Sequence, residues 1–273
     1  MKTIKHTLTC MTLLFMFFYA ETICAQSGQA PKFMTTTTLS WNQNLEHLDL
    51  AEWKAIEKEY LEKVIKKNEY ILGSSFYKPQ LSGSSGELVL VRVYGSWAAI
   101  ERAVERNAEL EKIAWPNEKA LKDFKRKQRS FYTHDHADEI YSVLPIMKPV
   151  QDWSKDMVCY VRTKHLNFPE DGKKEEVENI IKEDFEKLIK DNAIVKGYFT
   201  YRHAWGAHGS ELKNAYFLSS ISDLQKLFES VPDLEKKAWP TDHLRKKREH
   251  MMNKYFTNVY RDDVYTFVSG LSK

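Results

Sequence analysis

Cysteine is scarce in this chain: three residues in 273. Two of them, Cys10 and Cys24, fall in the first 25 positions. A framework of disulfides is therefore excluded, and stability must come from buried apolar surface. Charge of one sign is also lacking. The formal net charge is +3, too near balance for a dedicated nucleic-acid protein. No apolar run after the N-terminus approaches the ~20 residues a membrane-spanning helix needs. Several chemical signatures are missing as well. There is no glycine-rich phosphate loop, no Gly-x-Ser-x-Gly elbow, no Cys-x-x-Cys and no metalloprotease-type His-Glu pair, which disfavours nucleotide-dependent chemistry and a common serine hydrolase.

The N-terminus reads as an export signal. Lys2, Lys5 and His6 form a basic start, Leu8 to Ala20 a short apolar stretch, and Ala25 a small residue at the cleavage point. Residues 1–25 are thus expected to be removed, giving a periplasmic or secreted protein with a short extension over 26–32. Lipidation at Cys24 fits less well, because Glu21-Thr22-Ile23 is a poor approach to a modified cysteine.

What the chain does have is a repeat. Glu111-Lys112-Ile113-Ala114-Trp115-Pro116 returns as Glu235-Lys236-Lys237-Ala238-Trp239-Pro240, an offset of 124 positions. The same offset pairs Gly73 with Gly197, Tyr77 with Tyr201, Glu87 with Glu211 and Tyr141 with Tyr265. It aligns Phe33 with Met157 without a gap. Each copy is domain-sized rather than solenoid-sized. We expect repeat 1 over 33–144, a proline-bearing linker over 145–156 and repeat 2 over 157–273.

Within each repeat the periodicity predicts β-α-β-β-α-β with one extra helix. Met157 to His165 alternates like a strand, and Val177, Ile180, Ile181, Leu188 and Ile189 recur at helical spacing. Ser96 and Ser222 are expected N-caps of the next helix, which the Ala-Trp-Pro stop ends. Asn117 or Thr241 begins the extra basic helix. Right-handed crossovers put both main helices on one face of the sheet and leave the other bare. Two copies resolve this by packing sheet against sheet.

This layout resembles the dimeric α/β-barrel superfamily, here ferredoxin-like repeats fused in tandem as a pseudo-dimer. The resemblance rests on topology and on the extra helix. It implies an α+β fold and a chain able to remain monomeric. Its members include monooxygenases, isomerases and haem-binding chlorite dismutase relatives, so it names no reaction.

Alternation then divides the strands. Val89, Val91 and Val93 are expected against the helices, leaving Arg92 and Tyr94 facing the inter-sheet space. By the same parity Arg162, Asn214 and Tyr216 point inward, with Cys159 on the helix side. With His203 these residues are the candidate ligand-binding set, suited to a small hydrophobic or carbonyl-bearing molecule. The contrary reading is a filled core and a noncatalytic interaction domain. His134, Asp135 and His136 are candidate metal ligands in what reads as a solvated loop. His203 would serve as a general base or as the axial ligand that a haem requires. Nothing in the sequence requires a cofactor, and whether the protein is an enzyme stays open. Matched positions are expected to maintain the fold, and unmatched polar ones to carry function.

Overall fold

A computed structural model describes residues 29–43, 49–82 and 86–273. The expected signal segment lies outside the described residues. Among those described, no helix is long and apolar enough to cross a membrane. Residues 31–273 form one compact unit.

Repeat 1 supplies β1 (Phe33–Trp41), α1 (Leu50–Lys63), β2 (Gly73–Leu81), β3 (Glu87–Tyr94), α2 (Trp97–Ala114), α3 (Glu118–Ser130) and β4 (Tyr132–Lys148). Repeat 2 supplies β5 (Met157–Leu166), α4 (Lys174–Asp184), β6 (Gly197–Trp205), β7 (Glu211–Leu218), α5 (Ile221–Ala238), α6 (Asp242–Tyr255) and β8 (Phe256–Phe267). The helix starts follow the expected chemistry. The side chains of Asp49, Ser96, Asn117 and Thr241 each accept a backbone N–H of the first turn. On α5 the cap is Ser220 rather than Ser222, because Ser220 keeps extended backbone while Ser222 has entered the helix.

The eight strands close into a barrel in the order β1-β3-β2-β8-β5-β7-β6-β4. Every neighbouring pair is antiparallel. The repeats join where β2 meets β8, with Tyr77 opposite Phe267, and where β4 meets β6, with Tyr141 opposite His203. Joining both sheets at both edges leaves no open edge among the described strands.

Two sequence expectations need correction here. The segment from His134 to Asp138 is not a loop but part of β4, paired with β1 through Leu39 and His136. β4 also continues past the expected repeat boundary at Leu144 to Lys148. Pro145 is tolerated because pairing to β1 has ended at Ser142 and the β6 register shifts between Val143 and Met147, so no ladder bond needs its missing N–H.

The repeat is also not gapless at its start. In repeat 1 Phe33 stands opposite Tyr94, whereas in repeat 2 Val158 stands opposite Leu218. The first strands are therefore equivalent at an offset of 125, the other paired strands at 124. One residue is gained between strand and helix without changing the barrel.

The tryptophans of the repeated Ala-Trp-Pro signature pack between helices rather than against the sheet. Trp115 stacks on Phe124 of α3 at 4.2 Å, with Lys63 of α1 over its ring. Trp239 lies under the Arg248 guanidinium of α6 and donates from Nε1 to Glu183 of α4. Each ring thus fastens the extra helix to the first.

Candidate functional site

The strand faces run opposite to the expected parity. Leu88 packs with Trp53 and Phe76 beneath α1, and Tyr94 packs with Leu61, Ile71 and Ala99. Val89 and Val91 instead line the barrel interior with Thr36, Thr38, Val161 and Ala215. The physical reason is room. Sheet and helices together present a broad layer that Leu, Tyr and Arg stems can fill. An eight-stranded barrel is narrow, so small residues inside it leave space for one small ligand. That space is about 430 Å³. The interior is therefore not a filled core.

Five candidates lie outside this cavity. Arg92 sits between sheet and helices beside Glu57, Tyr60 and Gln128, and Tyr94 is buried on the same face. Glu57, whose carboxyl burial pushes up, accepts from the Tyr132 hydroxyl at 2.7 Å. Arg162, Asn214 and Tyr216 do come together, in a smaller pocket of about 140 Å³ beneath α4 and α5. Arg162 grips Asp262 through Nε and Nη2 at 2.8 and 2.9 Å. Asn214 donates to the Tyr198 hydroxyl at 2.6 Å, and Tyr216 lies between Tyr160 and Tyr198. Burial pushes the Tyr216 phenol up to about 12. His134, Asp135 and His136 are exposed on β4, and no group of three metal-ligating side chains converges among the described residues. His203 alone of the candidates is joined to the barrel site.

The cavity has an aromatic floor and a polar mouth. Phe217, Phe267, Tyr77 and Cys159 belong to one buried cluster at the floor. The linker's Trp153 stands edge-on to Phe217 at 5.1 Å and lies 5.0 Å from Phe267, so the connection between repeats plugs that end. Burial raises the Cys159 thiol, leaving it a poor nucleophile.

Three charged groupings face one another at the mouth. Arg261 Nε donates to Asp263 Oδ2 at 2.8 Å. The Tyr141 hydroxyl donates to Glu211 Oε2 at 2.7 Å, and Lys213 Nζ stands 3.2 Å from the same oxygen. Lys213 also lies 4.5 Å above the Tyr141 ring. Finally, His203 Nε2 and Glu139 Oε2 are 2.6 Å apart, while the Ala207 N–H donates to Glu139 Oε1 at 3.1 Å. The Tyr141 and His203 rings meet edge to face at 5.5 Å, which links the second grouping to the third.

Burial lowers the Lys213 ammonium pKa although Glu211 opposes this. Burial alone would raise the Glu211 carboxyl, but Lys213 and the Tyr141 hydroxyl bring it below its ordinary value. Burial and Glu211 both raise the Tyr141 phenol, so it remains a donor. The mouth thus holds a partly desolvated amine, a hydrogen-bonded carboxylate and a protonated phenol within one contact network. Such a set can bind a carbonyl or acid and move protons at it. A haem in the barrel does not fit His203 as its ligand, because that side chain is only 5% exposed, lies outside the cavity lining and has its Nε2 engaged by Glu139.

Duplicated residues supply much of this site, contrary to the expectation that matched positions only maintain the fold. Tyr77 and Tyr201, Tyr141 and Tyr265, and Glu139 and Asp263 all line the cavity. A barrel built from two repeats has its pseudo-twofold axis through the interior, so equivalent residues face each other there. Three nitrogen-bearing side chains break that symmetry. Lys213, Arg261 and His203 come from repeat 2 and stand where repeat 1 has Val89, Ala137 and Pro79.

No family model matches this chain, and no curated protein matches it significantly. Solved structures do. A monooxygenase candidate from Lactobacillus acidophilus NCFM is 11% identical, with a TM-score of 0.52 over 88% of this chain and 94% of its own. A second monooxygenase candidate, from Fusobacterium nucleatum, gives 12% identity and 0.52 over 87% and 93%. An anthrone oxidase-like protein gives 10% and 0.52 over 89% and 92%. The chain has the dimeric α/β-barrel fold. Here one polypeptide supplies both sheets of the barrel. Identities this low establish architecture and leave chemistry to the site.

Proposed function

We propose that the barrel interior binds, and acts upon, a small hydrophobic molecule carrying one carbonyl or acidic group. The observation that carries this reading is the pairing of an aromatic floor with the Lys213–Glu211–Tyr141 mouth around about 430 Å³ of open space. The apolar body would rest on Phe217 and the valines, and the polar head would meet Lys213 and Arg261. A volume of this order is typical of small-molecule sites. The monooxygenase and oxidase-like descriptions of the structural neighbours are compatible with a ligand of this kind. The N-terminal pattern supports an exported protein that meets its ligand in the periplasm or outside the cell.

Calorimetry with benzoate, benzaldehyde and benzyl alcohol tests the reading against Ala215→Trp, which fills the cavity from β7. Saturable binding by the parent chain, abolished in a folded Ala215→Trp variant, is the expected result. Binding that survives the substitution would refute a site in the barrel.

A further inference from the structure

We infer that Lys213 is a nucleophile that forms a reversible imine with a carbonyl-bearing ligand in the barrel. The inference rests on the proposed small-molecule site and adds a covalent step to it. Lys213 is the one lysine among the described residues lining the cavity, and its side chain is only 16% exposed. Its position is not inherited from the duplication, since the equivalent residue on β3 is Val89. The cavity therefore presents a single amine against a wall of Val89, Val161 and Ala215.

The groups facing that amine suit imine chemistry. Glu211 Oε2 is 3.2 Å from Nζ and accepts the Tyr141 hydroxyl at 2.7 Å. Arg261 and Glu139 are the other charges acting on it. Burial favours the neutral amine, the form that attacks. In the step, the nitrogen lone pair bonds to the carbonyl carbon, and Glu211 takes one N–H proton and passes it to the resulting alkoxide, giving a carbinolamine. The second N–H proton follows the same route to that hydroxyl, which leaves as water while C=N forms, and Glu211 ends as the carboxylate it began. The balance is amine plus carbonyl giving imine plus water, with no oxidant or reductant. When protonated, the imine has the Glu211 carboxylate as counter-ion, and the apolar wall limits water for its hydrolysis. Such an iminium withdraws electrons from the adjacent carbon and would acidify its C–H bonds.

The test treats the parent chain with benzaldehyde and sodium cyanoborohydride, which reduces an imine to a stable secondary amine. Peptide mapping by mass spectrometry then locates the adduct. A single early adduct on Lys213, lost in Lys213→Met, is expected. Lys164 is the internal control, since burial lowers its ammonium pKa too but it lines the outer pocket instead. Calorimetry with benzyl alcohol, which has no carbonyl, runs alongside. Benzyl alcohol bound in the barrel with adducts spread over surface lysines would overturn the imine and leave the cavity reading standing. Early modification of Lys164 in place of Lys213 would also overturn it. Failure of both compounds to bind would remove the cavity reading itself. The mapping uses the unsubstituted chain, so the site of the adduct is read without relying on how a variant folds.

Discussion

Gly206 leaves room for the Glu139 carboxylate: a β-carbon at position 206 would stand 1.9 Å from Glu139 Oε2. The glycine also holds φ at +127°, which side-chain-bearing residues rarely adopt. The turn after β6 is thus shaped to hold the acid that pairs with His203. Gly206→Ala is expected to cost about 1–3 kcal/mol and to release Glu139 from the Ala207 N–H. Thermal denaturation reads the loss, and displaced His203 ring resonances by NMR at fixed pH read the loss of its Glu139 contact.

Lys213 and Glu211 are expected to depend on one another. Lys213→Met strands a buried carboxylate and should destabilise by about 3–5 kcal/mol. Adding Glu211→Gln, which still accepts the Tyr141 hydroxyl, should recover most of that loss. Urea denaturation of the two single variants and the double variant measures the coupling.

The same pair sets a pH dependence. Glu211 has a lowered pKa in the folded chain, so its contribution is present above the unfolded carboxylate value of about 4.3. It is lost as pH falls through the folded value. Lys213 acts in the alkaline range. Its folded pKa is lowered, so the unfolded chain holds more protons just below about 10.4 and stability rises with pH there. Glu211→Gln should flatten the acid limb, and Lys213→Met the alkaline one, in denaturation followed across pH.

The outer pocket separates stability from binding. Asp262 holds Arg162 and the Tyr160 hydroxyl, with both charged side chains about one-third exposed. Asp262→Asn should cost about 1 kcal/mol and leave benzoate affinity unchanged by calorimetry. A lost affinity would move the ligand site to the helix side of the sheet.

Trp153 should govern access from the floor. Trp153→Ala removes the ring packed on Phe217 and Phe267, so the buried Cys159 should react faster with a thiol reagent. Ligand in the barrel should slow it again. Mass mapping of the Cys159 peptide over time checks both effects.

Much of the scaffold was legible in the residues. Asp49 did not announce itself, but Ser96, Asn117 and Thr241 marked helix starts, and the matched Gly73 and Gly197 marked strand entries. The barrel followed from two sheets with bare faces. The direction of those faces was not legible. Alternation along Leu88 to Tyr94 gives two sets of residues without saying which meets the helices, and a wrong choice inverts them all. Size held the missing clue: Leu88, Leu90 and Tyr94 demand a broad layer, while Val89 and Val91 suit a narrow barrel. The mouth was illegible for another reason. Glu139, His203, Glu211 and Lys213 come from β4, β6 and β7, and only the β4–β6 junction between repeats brings Glu139 to His203. Their number in the sequence carries no trace of that closure.

Methyl-labelled NMR tests the central claim most directly, because the two sides of the sheet carry different methyl groups. Titration with benzoate should shift Val89, Val91 and Val161 of the barrel while leaving Leu61, Ile65, Leu188 and Leu227 of the outer pockets in place. Shifts confined to the outer methyls would contradict a ligand site in the barrel interior.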